Sequence, residues 1–221
     1  MNVFQENLTS KILQQRSSLL ANKFKREIDI LEIGCGDGNI SNFIIKNQKK
    51  KHNFYLSDIS NHAIKSAKKK ILYKKCLFKT GKWLNPWSDQ KFDIIISDVS
   101  SINDFIAKKS NWYNGVVCNS GNDGLNNIEK ILSNINQNLK KNGKFILPII
   151  SLSNEKKLIR MLEKRFLKVS YSKKIVWPIP KFFKKNKAKY LKLKEESKIN
   201  FEEKFGMYLA YTYSATCYKL K

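Results

Sequence analysis

Three glycines at alternate positions, Gly34, Gly36 and Gly38, follow an apolar, β-branched run (Ile28, Ile30, Leu31, Ile33) and precede a helix-compatible segment, Ile40 to Lys46. Glycine tolerates positive φ and lets a ligand approach the backbone, so strand, tight loop and helix N-terminus together form a cradle for a bound group. Cys35 lies inside that loop and Glu32 beside it, where its carboxylate suits either a ligand ammonium or the loop's own N–H groups. Asp58 closes a second apolar run, 20 residues after Gly38, and Ile59 follows it. A carboxylate at that spacing offers two acceptor oxygens to the vicinal diol of a ribose; it also suits a helix N-cap. Asp98 closes a third run, Phe92-Asp-Ile-Ile-Ile-Ser, with Ser100 and Ser101 just beyond it. It suits either chemistry at a strand end or the capping of the next turn. A dinucleotide fingerprint needs a third glycine where Asn39 stands, which excludes NAD as the expected ligand.

The elements that must position these groups follow from hydrophobic periodicity. Residues 4–26 are predicted to be an amphipathic helix, with Phe4, Leu8, Ile12, Leu19 and Phe24 near helical spacing, packing across a sheet or over a ligand. Strands are predicted at 28–33, 53–57, 76–79, 92–97 and 144–150, with two more near 166–176 and 207–218. Between them helices are predicted at 40–46, 59–70, 122–139 and 155–164, the third stopped by Asn142-Gly143 and the fourth capped by Ser153 or Asn154. Residues 103–120 read as a loop with a short helix at most. Alternating strands and helices predict a doubly wound, mostly parallel, seven-stranded α/β sheet with right-handed crossovers and helices on both faces. In such sheets ligands bind outside the carboxyl ends of the strands, where the Gly loop, Asp58 and Asp98 all fall. Residues 1–27 would form an N-terminal helical segment and 28–221 one domain with a basic insertion near 178–200.

Bulk properties narrow the class. A hydrophobic content of 42% and 221 residues are enough for one globular core. No run reaches the length of a membrane span, and the first residues lack the basic and apolar regions of a signal peptide, so a cytoplasmic location is expected. Cys35, Cys76, Cys118 and Cys217 are scattered and histidine occurs only at positions 52 and 62, which argues against a zinc site or a disulfide framework. The net charge of +25 invites a nucleic-acid reading, yet only Arg16, Arg26, Arg160 and Arg165 are arginines among 43 basic residues. Arginine is the better bidentate reader of phosphates and bases, so a solvated lysine surface in a Lys-, Asn- and Ile-rich composition is the plainer explanation.

Glu32-Ile-Gly-Cys-Gly-Asp-Gly closely resembles motif I, E-x-G-x-G-x-G, of the Rossmann-like S-adenosyl-L-methionine (SAM) methyltransferases. The resemblance extends over residues 28–170. Lys79-Thr-Gly-Lys-Trp-Leu-Asn-Pro-Trp, before strand 92–97, looks like the family's adenine-contacting turn. Lys82 stands there in place of a frequent acidic residue, which leaves the adenine amino group to the backbone, and Trp83 would pack on adenine or in the core. Cys118-Asn-Ser-Gly-Asn-Asp-Gly-Leu is similar to the release-factor glutamine methyltransferase group, whose catalytic Asn-Pro-Pro-Tyr is replaced here by Asp98-Val99-Ser100-Ser101. The resemblance implies a cofactor site of Glu32, Gly34, Cys35, Gly36, Gly38, Asp58, Ile59, Lys82, Trp83 and Asp98, with S-adenosyl-L-homocysteine as product.

The replacement of the tetrapeptide alters the expected chemistry. The family's Asn and Pro carbonyl hold a planar NH₂, whereas a carboxylate suits an amine or hydroxyl that loses a proton as it attacks. Asp98, Ser100 and Ser101 are therefore the expected catalytic residues. Trp112 and Tyr113 are expected either to wall the acceptor pocket or to serve as plain core or lid aromatics. The leading expectation is methyl transfer to an N or O nucleophile of a small molecule or peptide. An RNA or ribosomal-protein acceptor is the alternative, carried by Lys181, Lys184, Lys185, Lys187 and Lys189 interleaved with Phe182, Phe183 and Tyr190. A SAM-binding scaffold without turnover is a third class.

Overall fold

In a computed structural model, which describes residues 7–110, 112–113, 118–179 and 187–221, the chain forms a single twisted sheet. Its strands are β1 (Asp29–Ile33), β2 (Asn53–Asp58), β3 (Cys76–Thr80), β4 (Phe92–Ser97), β5 (Leu139–Ile150), β6 (Phe166–Tyr171), β7 (Ile175–Pro178), β8 (Glu202–Lys204) and β9 (Met207–Leu220). The main path is β3–β2–β1–β4–β5–β9–β6, parallel from β3 to β5, with β9 antiparallel to both of its neighbours. After β1 the chain moves outward through β2 and β3 and then returns to β4 on the other side. The reversal opens a crevice beyond the carboxyl ends of β1 and β4, the place where such sheets take ligands.

Helices α1 (Leu8–Ala21), α2 (Asn39–Asn47) and α3 (Asn61–Lys70) precede β4, and α4 (Asp104–Lys109), α5 (Asn126–Asn138), α6 (Glu155–Arg165) and α7 (Lys187–Glu196) follow it. All six residues of β4 are buried, as a strand covered on both faces requires. Ile94 and Ile96 join a core with Leu13 and Leu20 of α1, Ile40 and Ile44 of α2, and Ile64 of α3. Ile95, pointing the other way, joins Ile128, Ile131, Ile135, Leu158 and Leu162 from α5 and α6. Each such side chain contributes roughly 1.5–3 kcal/mol on burial. A third cluster unites Ile102 and Ile106 with Leu152, Ile179, Tyr190, Ile199, Phe201 and Tyr208. It brings segments from α4, α7 and the start of β9 over the carboxyl end of the sheet.

Several expectations are corrected. The sheet has nine strands rather than seven, because β7 and β8 both pair with the first half of β9. The strand expected over 166–176 breaks at Ser172, whose N–H donates to Ser214 O and whose hydroxyl accepts from Ser214 N–H. Helix α5 starts at Asn126 rather than 122, since Gly121 (φ +80) and Gly124 (φ +76) hold the preceding turn in left-handed geometry. It ends at Asn138, before Asn142-Gly143; those two residues lie inside β5, where the pairing with β4 shifts register. In α1, Leu8 and Leu19 are exposed and the buried face is Thr9, Ser10, Leu13, Gln14, Ser17, Ser18, Leu20 and Ala21. Phe4, Phe182, Phe183, Lys181, Lys184, Lys185 and the side chain of Lys187 lie outside the described residues.

Candidate active site

Gly34, Gly36 and Gly38 all adopt positive φ, +71, +54 and +79. A Cβ on Gly34 would stand 3.0 Å from Val99 Cγ1 and 3.2 Å from Val99 N, so the loops after β1 and β4 meet at this residue. The N–H groups of Gly34 and Cys35 both donate to Ser57 O at the end of β2. Gly36 N–H donates to Asp58 Oδ2 at 2.9 Å, and Ser60 N–H donates to Asp58 Oδ1 at 2.8 Å. Asp58 thereby clamps the loop, and it stays partly open to solvent with acceptor lone pairs to spare. Ser60, not Asp58, caps α3 through its side chain. Burial raises the pKa of the Asp58 carboxyl and holds the Cys35 thiol well above its ordinary value, which rules out Cys35 as a thiolate nucleophile.

Glu32 lies beneath the loop, 1% exposed. Its Oε2 accepts both the N–H and the hydroxyl of Ser41, which fastens the first turn of α2 to β1. Burial lifts its carboxyl to about 8. Asp98 lies close enough to add to that rise. The Asp98 N–H donates to Ile33 O, continuing the β1–β4 ladder one step past the strand. Its Oδ2 accepts the Ser10 hydroxyl at 2.8 Å. Burial moves this carboxyl up to about 6, against the lowering effect of Ser10. Two neighbouring carboxyls thus titrate on opposite sides of neutrality, one protonated and one ionised at pH 7.

Beyond Asp98 the chain turns into the third cluster. The Ser100 hydroxyl lies 2.7 Å from the Ser120 hydroxyl, and Ser100 O accepts from Ser120 Oγ and Asn127 Nδ2. Ser101 is buried, with a hydroxyl that has no hydrogen-bond partner among the described residues. Trp112 meets Trp177 edge to face at 5.5 Å, and Tyr113 lies near enough to feel the charge of Asp98. Both residues pack on the third cluster, together with Cys118. On the other flank Ile59 is 61% exposed. Trp83 adopts φ +51, with the Lys82 ammonium 6.0 Å from its ring centroid. Trp83 Nε1 donates to Asn127 Oδ1, so Asn127 joins this flank to the Ser100 loop.

Sequence reading missed Ser10, Ser41, Ser57 and Asn127. None lies in a motif, and each acts through a contact made only on folding. Among the described residues no group of three or more His, Cys, Asp or Glu could hold a metal ion, and no helix is long and apolar enough to cross a membrane.

A family model described as a methyltransferase domain matches residues 24–199. No curated protein matches the sequence. Among solved structures, the fold is similar to that of a ribosomal-protein methylase from Lactobacillus delbrueckii subsp. bulgaricus. That pair has a TM-score of 0.56 at 13% identity over 96% of this chain and 80% of that one. A Bacillus subtilis tRNA methyltransferase gives 0.53 at 14% identity over 97% and 68%. A SAM-dependent O-methyltransferase from Thermotoga maritima gives 0.53 at 15% over 93% and 64%. At these identities the likeness concerns the fold.

Proposed function

The chain belongs to the methyltransferase-domain family, whose model covers residues 24–199, and from that premise we propose that it methylates an N or O nucleophile of a small molecule or peptide in the cytoplasm. The enzyme is a SAM-dependent methyltransferase. When bound, SAM supplies an electrophilic sulfonium methyl, and the protein's share is to align the acceptor with it. The residues present suit such a cationic ligand. Glu32, Asp58 and Asp98 surround a loop whose three glycines already adopt positive φ. Asp58 would hold the ribose hydroxyls, exposed Ile59 and Trp83 the adenine faces, and the Gly34–Gly38 loop the methionine end. Glu32 would keep that loop on α2 through Ser41.

One observation carries the acceptor class: an ionisable carboxylate, Asp98, stands at the carboxyl end of β4 and directly across from the Gly loop. A carboxylate accepts a proton from an amine or hydroxyl, whereas the glutamine-amide chemistry of the release-factor group uses an Asn, two prolines and a Tyr that this chain lacks. Ser100 and Ser101 would orient the acceptor, with Trp112 and Tyr113 as its wall. A second reading, an RNA or ribosomal-protein acceptor, draws on a cleft of about 670 Å³ lined by Lys156, Arg160, Lys194 and Lys198.

The test uses methyl-tritiated SAM with the low-mass, protein and RNA fractions of a cell extract. Label is expected in the low-mass or peptide fraction; label confined to RNA overturns the preferred acceptor. In the labelled fraction, Asp98→Asn should slow transfer by about 10²–10⁴ while SAM affinity is retained. Transfer should also fall as pH drops through about 6, where the carboxylate takes up its proton.

A further inference from the structure

Ser10 lies 88 residues from Asp98 in sequence, yet its hydroxyl donates to Asp98 Oδ2 at 2.8 Å. We propose that Ser10 is a positioning residue for Asp98, holding one carboxylate oxygen so that the other faces the acceptor, which makes α1 a working part of the site. The inference rests on the role given to Asp98 above.

The geometry of α1 supports it. Asn7 caps the helix, accepting the Ser10 N–H at 3.0 Å, so the first turn is fixed before the side chain points anywhere. Ser10 itself is 3% exposed. A helix buried for stability alone would present apolar residues, since buried hydroxyls lose water and must find partners. Here the buried face carries Thr9, Ser10, Gln14, Ser17 and Ser18 beside Leu13, Leu20 and Ala21. Three further polar contacts fix where the helix lies along β9 and β6. Thr9 Oγ1 meets Thr212 Oγ1 at 3.5 Å, and Arg16 donates to Thr216 Oγ1 and Ser170 Oγ. The N-terminal end of a 14-residue helix also carries partial positive charge, which favours a carboxylate at its first turn.

Among the described residues the other titratable groups facing Asp98 offer no such help. Glu32 comes from β1 and Tyr113 from the segment after α4. Burial raises the pKa of both, leaving them neutral at pH 7. The Tyr113 hydroxyl is engaged with Ser100. Among the described residues Ser10 is the side-chain donor that favours the charged form of Asp98.

The experiment follows the Asp98 carboxyl carbon by NMR in full-length protein labelled with carboxyl-¹³C aspartate. Asp98→Asn assigns the resonance by its loss. Removing a donor to the charged form raises a carboxyl's pKa, so Ser10→Ala should move the midpoint upward by about one unit. Ser10→Thr, which keeps the hydroxyl, should restore it. The acid limb of methyl transfer into the labelled low-mass fraction should shift in the same direction by the same amount. An unmoved midpoint in folded Ser10→Ala overturns the proposal, as does a Thr variant that behaves like Ala. Should Ser10→Ala not fold, Ser10→Cys, a weak donor of similar size, carries the same comparison. Loss of transfer in Asp98→Asn with no shift in the Ser10 variants refutes this inference alone. Full transfer in Asp98→Asn refutes the reading beneath it.

Discussion

Burial raises the carboxyls of both Glu32 and Asp98, but their partners differ, and the Glu32 shift has a measurable consequence for stability. The carboxyl of Glu32 titrates at about 8 in the fold against 4.5 ordinarily, so between those values the native state keeps a proton that the unfolded chain releases. Its contribution is complete at low pH and is lost as pH rises through the folded value. Glu32→Gln keeps an acceptor for Ser41 and removes the titration. The variant should therefore gain stability relative to the parent by on the order of a few kcal/mol from pH 4.5 to 8, in urea melts at fixed pH. A difference independent of pH would mean that Glu32 is ionised in the fold. At this scale the sequence was legible where structure is local. The tight turn of Gly34, Gly36 and Gly38 and the strand-end place of Asp58 could be read from spacing because strand, loop and helix are contiguous. Ser10 and Asn127 could not, because their partners are 88 and 27 residues away.

At the scale of elements, α1 separates what periodicity can see from what packing decides. The expected apolar stripe included Leu8 and Leu19, both exposed, whereas Leu13 is fully buried against β4 and α2. Leu13→Ala should cost about 2–5 kcal/mol in thermal or urea unfolding, and Leu19→Ala within about 0.5 kcal/mol. Equal costs would mean that the helix lies on its other face. The strands and helices around the Gly loop fell close to expectation because each shows one strong period. The errors lie where no single period applies. Helix α5 passes straight into β5 at Asn138, pinned by its side-chain amide to Trp87 O and Gln90 O, four residues before the Asn142-Gly143 pair that the sequence offers as its stop. The short strands β7 and β8 exist only because β9 is long enough to pair with them.

For the whole molecule the question is what a charge of +25 is for. Of the four arginines, three are engaged in the fold: Arg16 with Thr216 and Ser170, Arg26 with Asp93, and Arg165 with Asn136. Arg160 lines the cleft with Lys156 and Lys198. If that cleft is only solvated surface, replacing these three residues by Gln should leave methyl transfer unchanged. If RNA binds there, its retention on filters should lose about 0.7 of salt slope for each single-strand phosphate contact removed. Transfer that falls together with retention would favour the RNA acceptor. The long strand β9 has a different consequence, in the order of assembly. It enters between β5 and β6, both of which precede it in the chain, and it is hydrogen-bonded to four strands. Until residues 207–220 leave the ribosome, β5 and β6 present unpaired edges, the kind of surface that recruits other chains. The sheet beyond β5 must wait until residues 207–220 have been made, whereas β1 to β4 and the Gly loop can form before that. The nascent chain would then build its glycine loop before it closes its sheet, with aggregation the competing outcome in the interval.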